Sequence, residues 1–186
     1  MSEPLTLLDE AEAIARLLAD AKTPVLLIGA AAMAVHHYVR FTRDLDLAVA
    51  VSTRDLKRLA NLLVSEGRRV EVSLPDFHDP LDGVVDILTE SGLVQLVNFG
   101  GTFPAIISDA HAATPQPLRP ESPIPVIPLP HLIALKLYAG GAKSRLDIFE
   151  LVRQNEALDR PALVALCRRY RLRGLASILR EADSLS

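Results

Sequence analysis

The sequence predicts an α/β (α+β) fold, a mixed β-sheet with flanking helices over residues 1–130, followed by a helical portion over residues 131–186 that packs on it. Three observations carry this expectation. An apolar strand, a glycine and an alanine-rich helix follow one another in VLLIGAAAMAVHHY, and further short strand-like runs recur as far as Phe99. From His131 onward only helical periodicity is found. With 186 residues, 49% of them hydrophobic, the chain is long enough to bury a substantial core.

Each element has a local reason. Residues 7–20 place Leu7, Ala11, Ile14 and Leu18 on one helical face with charges between them. VLLIG, 25–29, is a short apolar strand, and Gly29 marks the tight junction into a helix running to Tyr38. LDLAVAV, 45–51, is a second strand. Ser52 or Thr53 then caps a helix whose apolar face is Leu56, Leu59, Leu62 and Leu63, with Ser52 and Asp55 at capping-box spacing. RVEVSL, 69–74, alternates as an exposed or edge strand does. GVVDILT, 83–89, and LVQLVNF, 93–99, are strands joined by the turn-forming Glu90, Ser91 and Gly92. Residues 104–130 hold most of the prolines, and PESPIPVIPLP allows only extended segments and turns with one short strand at Val126 and Ile127. HLIALKLYAG, KSRLDIFELVRQ and two basic amphipathic stretches between Pro161 and Arg180 are helices, with Lys143 and Arg145 in the link between the first two.

Composition narrows the function classes. A formal charge of -3 gives no general attraction for polyanions or anionic membranes. Cys167 is the one cysteine, so there is no internal disulfide and no cysteine-rich metal knuckle. The longest apolar stretch, 24–35, falls short of the ~20 residues of a membrane span, and the amino terminus carries acids where a secretory signal carries basic residues. A cytoplasmic location is expected. His36 and His37 are adjacent and face different sides of their helix, while His78, His111 and His131 are scattered, so no zinc set is read. The run Arg168, Arg169, Arg171, Arg173 is expected to be a solvated helix face.

Chemistry enters at RFTRDLDLAVA, 40–50. Asp44 and Asp46 are two apart on a strand and so share a face. Like charges held this close raise one another's pKa, a cost that a divalent cation between them offsets, and Mg2+ or Mn2+ suits hard carboxylate oxygens completed by water and phosphates. Asp86, an acid within the apolar run GVVDILT, is the expected third ligand. Gly29, opening a helix fifteen residues before Asp44, offers backbone N–H groups to a phosphate. Lys136 interrupts the apolar helix of Leu132, Ile133, Leu135, Leu137 and Tyr138, and must snorkel or meet an acid or a phosphate.

The stretch LLIGAAAMAVHHYVRFTRDLDLAV resembles the opening motif of the nucleotidyltransferase superfamily, more narrowly the branch of AbiEii-type toxins and related uncharacterised bacterial nucleotidyltransferase-like proteins. Gly29 matches the first glycine, Ala32 the small helix residue, His36 the histidine, and Arg40, Thr42, Asp44 and Asp46 the rest, while Asp86 matches the third carboxylate. Ala30 departs from the glycine or serine usual at its place. The later helices match a lysine, Lys136, and an aspartate, Asp147. The resemblance implies a nucleotidyltransferase-like sheet domain. It further implies metal on Asp44, Asp46 and Asp86, with Asp86 also positioning the acceptor hydroxyl. His36 is expected to hydrogen-bond near the acidic pair, and nucleotide contacts are expected from Gly29, Ala30, Arg40, Thr42 and Lys136, the last oriented by Asp147.

The implied activity moves a nucleoside monophosphate from a nucleoside triphosphate to a hydroxyl of an RNA, a protein or a small molecule. A non-catalytic nucleotide-binding or regulatory protein of toxin–antitoxin type, with a cognate antitoxin or other partner protein, stays open as the alternative. A phosphohydrolase would want histidine ligands that these spacings do not supply.

Overall fold

A computed structural model of the chain describes residues 5–75 and 81–184, so His78 lies outside the described residues. The elements run α1 (Leu7–Asp20), β1 (Leu26–Leu27), α2 (Gly29–Val35), β2 (Asp44–Val49), α3 (Thr53–Ser65), β3 (Arg69–Ser73), β4 (Val84–Thr89), β5 (Gly92–Asn98), α4 (Pro104–Ala112), α5 (Leu129–Ala139), α6 (Gly141–Gln154), α7 (Arg160–Arg169) and α8 (Leu175–Ser184). The five strands form one mixed sheet in the order β1-β2-β5-β4-β3. Only β2 and β5 pair in parallel.

Register sorts the side chains. Leu45, Leu47 and Val49 of β2 lie level with Val94 and Leu96 of β5, which lie level with Val85 and Ile87 of β4. All are buried, with α1 packed against β2 and β5. The opposite face carries the acids. There Asp46 is level with Gln95, Gln95 with Asp86, and Asp86 with Glu71, a polar row crossing four strands. One buried cluster extends from the sheet into α5, α6, α7 and α8 through Leu132, Ile133, Leu151, Leu163 and Ile178.

Several boundaries differ from the sequence reading, each for a local reason. The helix opened by Gly29 stops at Val35 instead of reaching Tyr38. His37 takes the left-handed conformation (φ 67°), with Tyr38 N–H bonded to Met33 O (2.9 Å) and His37 N–H to Ala34 O (3.2 Å). That is the Schellman closure, here made without glycine. Helix α4 has no counterpart in the sequence reading of the proline-rich region. Pro104 stands in its first turn, where the missing N–H costs nothing, and the next proline is Pro115. Val126 makes an isolated bridge to Leu27 instead of a strand. Helix α5 begins two residues before His131, with Pro130 tolerated in the first turn. Lys143 and Arg145 lie within α6, which starts at Gly141.

Caps and anchors account for the remaining ends. Ser52 caps α3, its hydroxyl accepting from Asp55 N–H at 3.1 Å. At α1 Thr6 and Asp9 form a capping box. Arg119 ties the proline-rich segment to α1 by donating to both Glu12 oxygens (2.8 Å each) and to Asp9 (2.9 Å). Among the described residues no helix is long and apolar enough to cross a membrane.

Three histidines are held neutral. Burial pulls His36, His111 and His131 below their ordinary value, and within the described residues Nε2 of His111 and Nδ1 of His131 are buried without a hydrogen-bond partner. A lowered folded-state pKa means that the unfolded chain binds protons first. Stability is therefore complete above about pH 6.5 and is lost as pH falls below it. Urea unfolding midpoints are expected to drop between pH 7.5 and pH 5.5, and His131→Met is expected to flatten part of that dependence.

Candidate active site

The site forms where the α2 turn meets β2. Ile28 N–H donates to the carbonyl of Asp46 (2.9 Å), and Gly29 follows at φ 67°. A Cβ at Gly29 would stand 1.7 Å from Asp46 Oδ2, so glycine is required both for its backbone angle and for the approach of the carboxylate. Ala30 is 4% exposed and turns its methyl into the core, where a serine hydroxyl would need a partner.

Asp44 and Asp46 project from β2 on the same face and are half-buried. Burial pushes the Asp46 carboxyl up, and the charge of Asp44 pushes it further. Lys136, Arg40 and Lys143 pull it back. Thr42 shapes the approach to this pair. Its hydroxyl donates to Asp44 O (3.1 Å) and accepts from Asp44 N–H (3.3 Å), so it is engaged by the backbone. Arg40 Nε is buried with no hydrogen-bond partner among the described residues.

Asp86 sits on the same sheet face but not beside the pair. Strand β5 intervenes, and two inter-strand steps put about 10 Å between the backbones of Asp46 and Asp86. Gln95 fills the position between them and donates Nε2–H to Asp86 Oδ1 at 2.7 Å. Among the described residues no three His, Cys, Asp or Glu side chains are grouped to hold a metal ion. Asp44 and Asp46 thus form an adjacent pair, and Asp86 stands two strands away from it on the same face of the sheet. The signal for Gln95 lay in the sequence, a polar residue inside the apolar run LVQLVNF, and the sequence reading passed over it.

Lys136 closes the other side. Its ammonium meets Asp147 Oδ2 at 2.6 Å, with side-chain exposures of 15% and 2%. The sequence left Lys136 a choice between an acid and a phosphate, and in this structure it holds the acid. Beside it lies a cleft of about 230 Å³ lined by Ile28, Gly29, Val97, Leu135, Lys136 and Tyr138 among others. A wider cleft of about 620 Å³ lies at the far end of β2, around Lys22, Ser52 and Arg58, and contains none of these acids.

Other expected contacts are elsewhere. His36 does not hydrogen-bond to the acidic pair. Its Nε2 donates to the carbonyl of Ile127 (2.7 Å), and its own carbonyl accepts from Asn155 (2.8 Å), so it fastens the end of α2 to the segments flanking α5 and α6. Arg145 is taken up by Ser177 (3.0 Å) and Glu181 (2.6 Å). Arg169, from the basic run, pairs with Asp109 at 2.6 Å.

The donor set fits a divalent cation. Two hard carboxylates are held together at an electrostatic cost, and a doubly charged ion between them removes that cost.

No protein-family model matches the sequence, and no curated protein matches it. Solved structures do share its architecture. An antigenic nucleotidyltransferase-like protein from Paracoccidioides brasiliensis superposes with a TM-score of 0.59 at 16% identity, covering 96% of this chain and 89% of the other. The antibiotic-resistance factor ANT(2'')-Ia in solution gives 0.53 at 15% identity, covering 96% and 97%. Its crystal structure with adenylyl-2''-tobramycin also gives 0.53 at 15% identity, covering 88% and 96%. The fold is that of the nucleotidyltransferases.

Two outcomes follow from the charges. At neutral pH the raised pKa of Asp46 marks a penalty on its ionised form, present above the folded-state value and absent below about pH 4. Asp46→Asn is expected to stabilise the metal-free protein by roughly 0.5–2 kcal/mol at pH 7, a gain that thermal melts should show shrinking toward pH 4. Lys136→Met leaves Asp147 buried without its partner and is expected to cost about 3 kcal/mol in denaturant unfolding. The Lys136→Met, Asp147→Asn double variant should regain part of that loss.

Proposed function

We propose that this chain is a metal-dependent nucleotidyltransferase, which transfers a nucleoside monophosphate from a nucleoside triphosphate to an acceptor hydroxyl and releases pyrophosphate. The observation that carries this reading is the Asp44–Asp46 pair, held against the Gly29 turn and opposed by Lys136, on a fold shared with nucleotidyltransferases. A carboxylate pair whose charge penalty the neighbouring cations offset only in part is a binding device for a cation.

Each residue then has a role. Asp44 and Asp46 hold Mg2+ or Mn2+, which when bound polarises the triphosphate and offsets its charge. The backbone N–H groups of Gly29 and Ala30 meet phosphate oxygens. Arg40, with a buried unpartnered Nε, and Lys136 supply the positive charge that the leaving pyrophosphate needs. Asp147 holds the Lys136 ammonium in place and Thr42 keeps the approach to β2 bent, so neither needs to touch the nucleotide. Asp86, set apart from the metal pair and oriented by Gln95, faces the acceptor, accepts the proton of its hydroxyl and leaves the oxygen free to attack the α-phosphorus. The acceptor hydroxyl belongs to an RNA, a protein or a small molecule.

Calorimetric titration of nucleoside triphosphate with Mg2+ tests this. Wild-type protein is expected to bind only when the metal is present, and Asp44→Ala combined with Asp46→Ala should weaken binding at least about tenfold, worth about 1.4 kcal/mol. Metal-independent binding, or binding unchanged in the folded double variant, would refute the assignment.

A further inference from the structure

Strand β3 is the open end of the sheet. The opposite end is covered, because β1 is only two residues long and Leu27 is bonded to the segment beside it. Its N–H donates to Pro125 O (2.8 Å) and its carbonyl accepts from Ile127 N–H (3.1 Å). Beyond β3 no further strand is paired among the described residues. Arg69, Glu71, Val72 and Ser73 are exposed there, Val72 at 43%. An open edge is a template for another strand unless something on it repels one.

The alternation of hydrogen bonds across the sheet decides which backbone groups this edge offers. Thr89 and Gly92 close the two-residue turn between β4 and β5, and Asn98 N–H donates to Gly83 O (2.9 Å). The odd-numbered residues of β4 thus turn their backbone toward β5. The even-numbered ones, Val84, Asp86 and Leu88, turn toward their β3 partners Ser73, Glu71 and Arg69. Val70 and Val72 are left pointing N–H and C=O outward. The side chains of Arg69 and Glu71 stand on the sheet face that carries Asp86, and among the described residues neither is held in an ion pair.

Like charges on an edge repel a copy of the same strand, but opposite charges two residues apart attract one. Antiparallel pairing about a two-fold axis normal to the sheet sets one residue against its own mate. An axis at Glu71 would oppose two carboxylates, and an axis at Val72 would set Arg69 against Pro75. An axis at Val70 sets Arg69 against Glu71 of the second copy, twice over. Those are pairs without backbone hydrogen bonds, where facing Cα atoms come within about 4.5 Å. In that register Val70 exchanges both its backbone bonds with its mate, and Val72 N–H reaches the Arg68 carbonyl of the second copy. Arg68 N–H stays with Leu63 O (2.9 Å). Val70 and Val72 of both copies meet on the other face.

We propose that β3 is a self-association edge, on which a second copy of this chain pairs antiparallel with Val70 on the two-fold axis and with reciprocal Arg69–Glu71 ion pairs. The two five-stranded sheets then become one. Because the axis is normal to the sheet, each face keeps its side. The row Asp46, Gln95, Asp86, Glu71 runs on into Arg69 of the second copy, and the acidic pairs of both copies open on the same side. The inference rests on the fold and the edge, not on the transferase reading.

Sedimentation of the intact chain from about 1 to 300 μM tests this. A strand pairing this short should give a reversible dimer with a Kd of about 10–100 μM. Arg69→Glu and Glu71→Lys each place like charges opposite one another and should weaken the dimer at least about tenfold, while the double variant should restore it to within about threefold. Mixing the two single variants should also restore a dimer, one chain of each, since every facing pair is then opposite in sign. Val70→Pro removes an outward N–H that β4 does not use and should abolish the dimer with the circular dichroism of the fold retained. A chain that stays monomeric at about 300 μM would overturn the proposal. So would a dimer that both single reversals leave intact, or single variants that do not associate when mixed.

Discussion

The approach of the Gly29 turn to Asp46 is the constraint on which the rest of the site depends. A hydrogen bond from Ile28 N–H to the Asp46 carbonyl fixes the α2 turn against β2, and Gly29 leaves the Asp46 carboxylate room that any Cβ would occupy. The turn that presents backbone N–H groups and the strand that presents the acids are therefore one rigid unit. His36 extends that unit, binding Ile127 ahead of α5 and accepting from Asn155 after α6. Those two bonds connect the carboxylate pair to the helices that carry Lys136 and Asp147.

Charge is arranged in opposition across this unit. Asp46 is burdened by burial and by Asp44, and the cations that relieve it stand on Arg40, Lys136 and Lys143. Lys136 is itself fixed by a carboxylate that is almost fully buried. A buried pair of this kind is expensive to form and adds little net stability, and its value here is a fixed position for a positive charge beside the acids. Toward β4 and β3 the balance reverses, with Asp86 and Glu71 following Gln95 across the sheet. The polar face of the sheet thus carries cations around Asp46 and acids toward β3.

Much of this was legible in the chain. Short strand-like runs bounded by turn residues located the five strands within one or two residues, with alternation marking β3, while the strand expected at Val126 and Ile127 is an isolated bridge. That Asp44 and Asp46 share one face followed from the period of two along a strand. The errors fell where a local rule yielded to another. A histidine in the left-handed conformation ended α2 short of Tyr38, and a proline began α4 inside a region that its proline content marked as extended. The link expected at Lys143 and Arg145 was helix, because the break between α5 and α6 is confined to Gly140 and Gly141.

By itself the sequence determined the strand–glycine–helix unit, the shared face of Asp44 and Asp46 and the anomaly of Lys136, because each depends on neighbours within a few residues and on the fixed periods of strand and helix. Only the tertiary structure decided what the distant residues do. Strand order is not written in local periodicity, and it was β5 lying between β2 and β4 that set Asp86 apart from Asp44 and Asp46 and brought Gln95 between them. In the same way, only the packing of α5 on the sheet made an apolar cleft beside Gly29 and gave Lys136 the carboxylate of Asp147 as its partner.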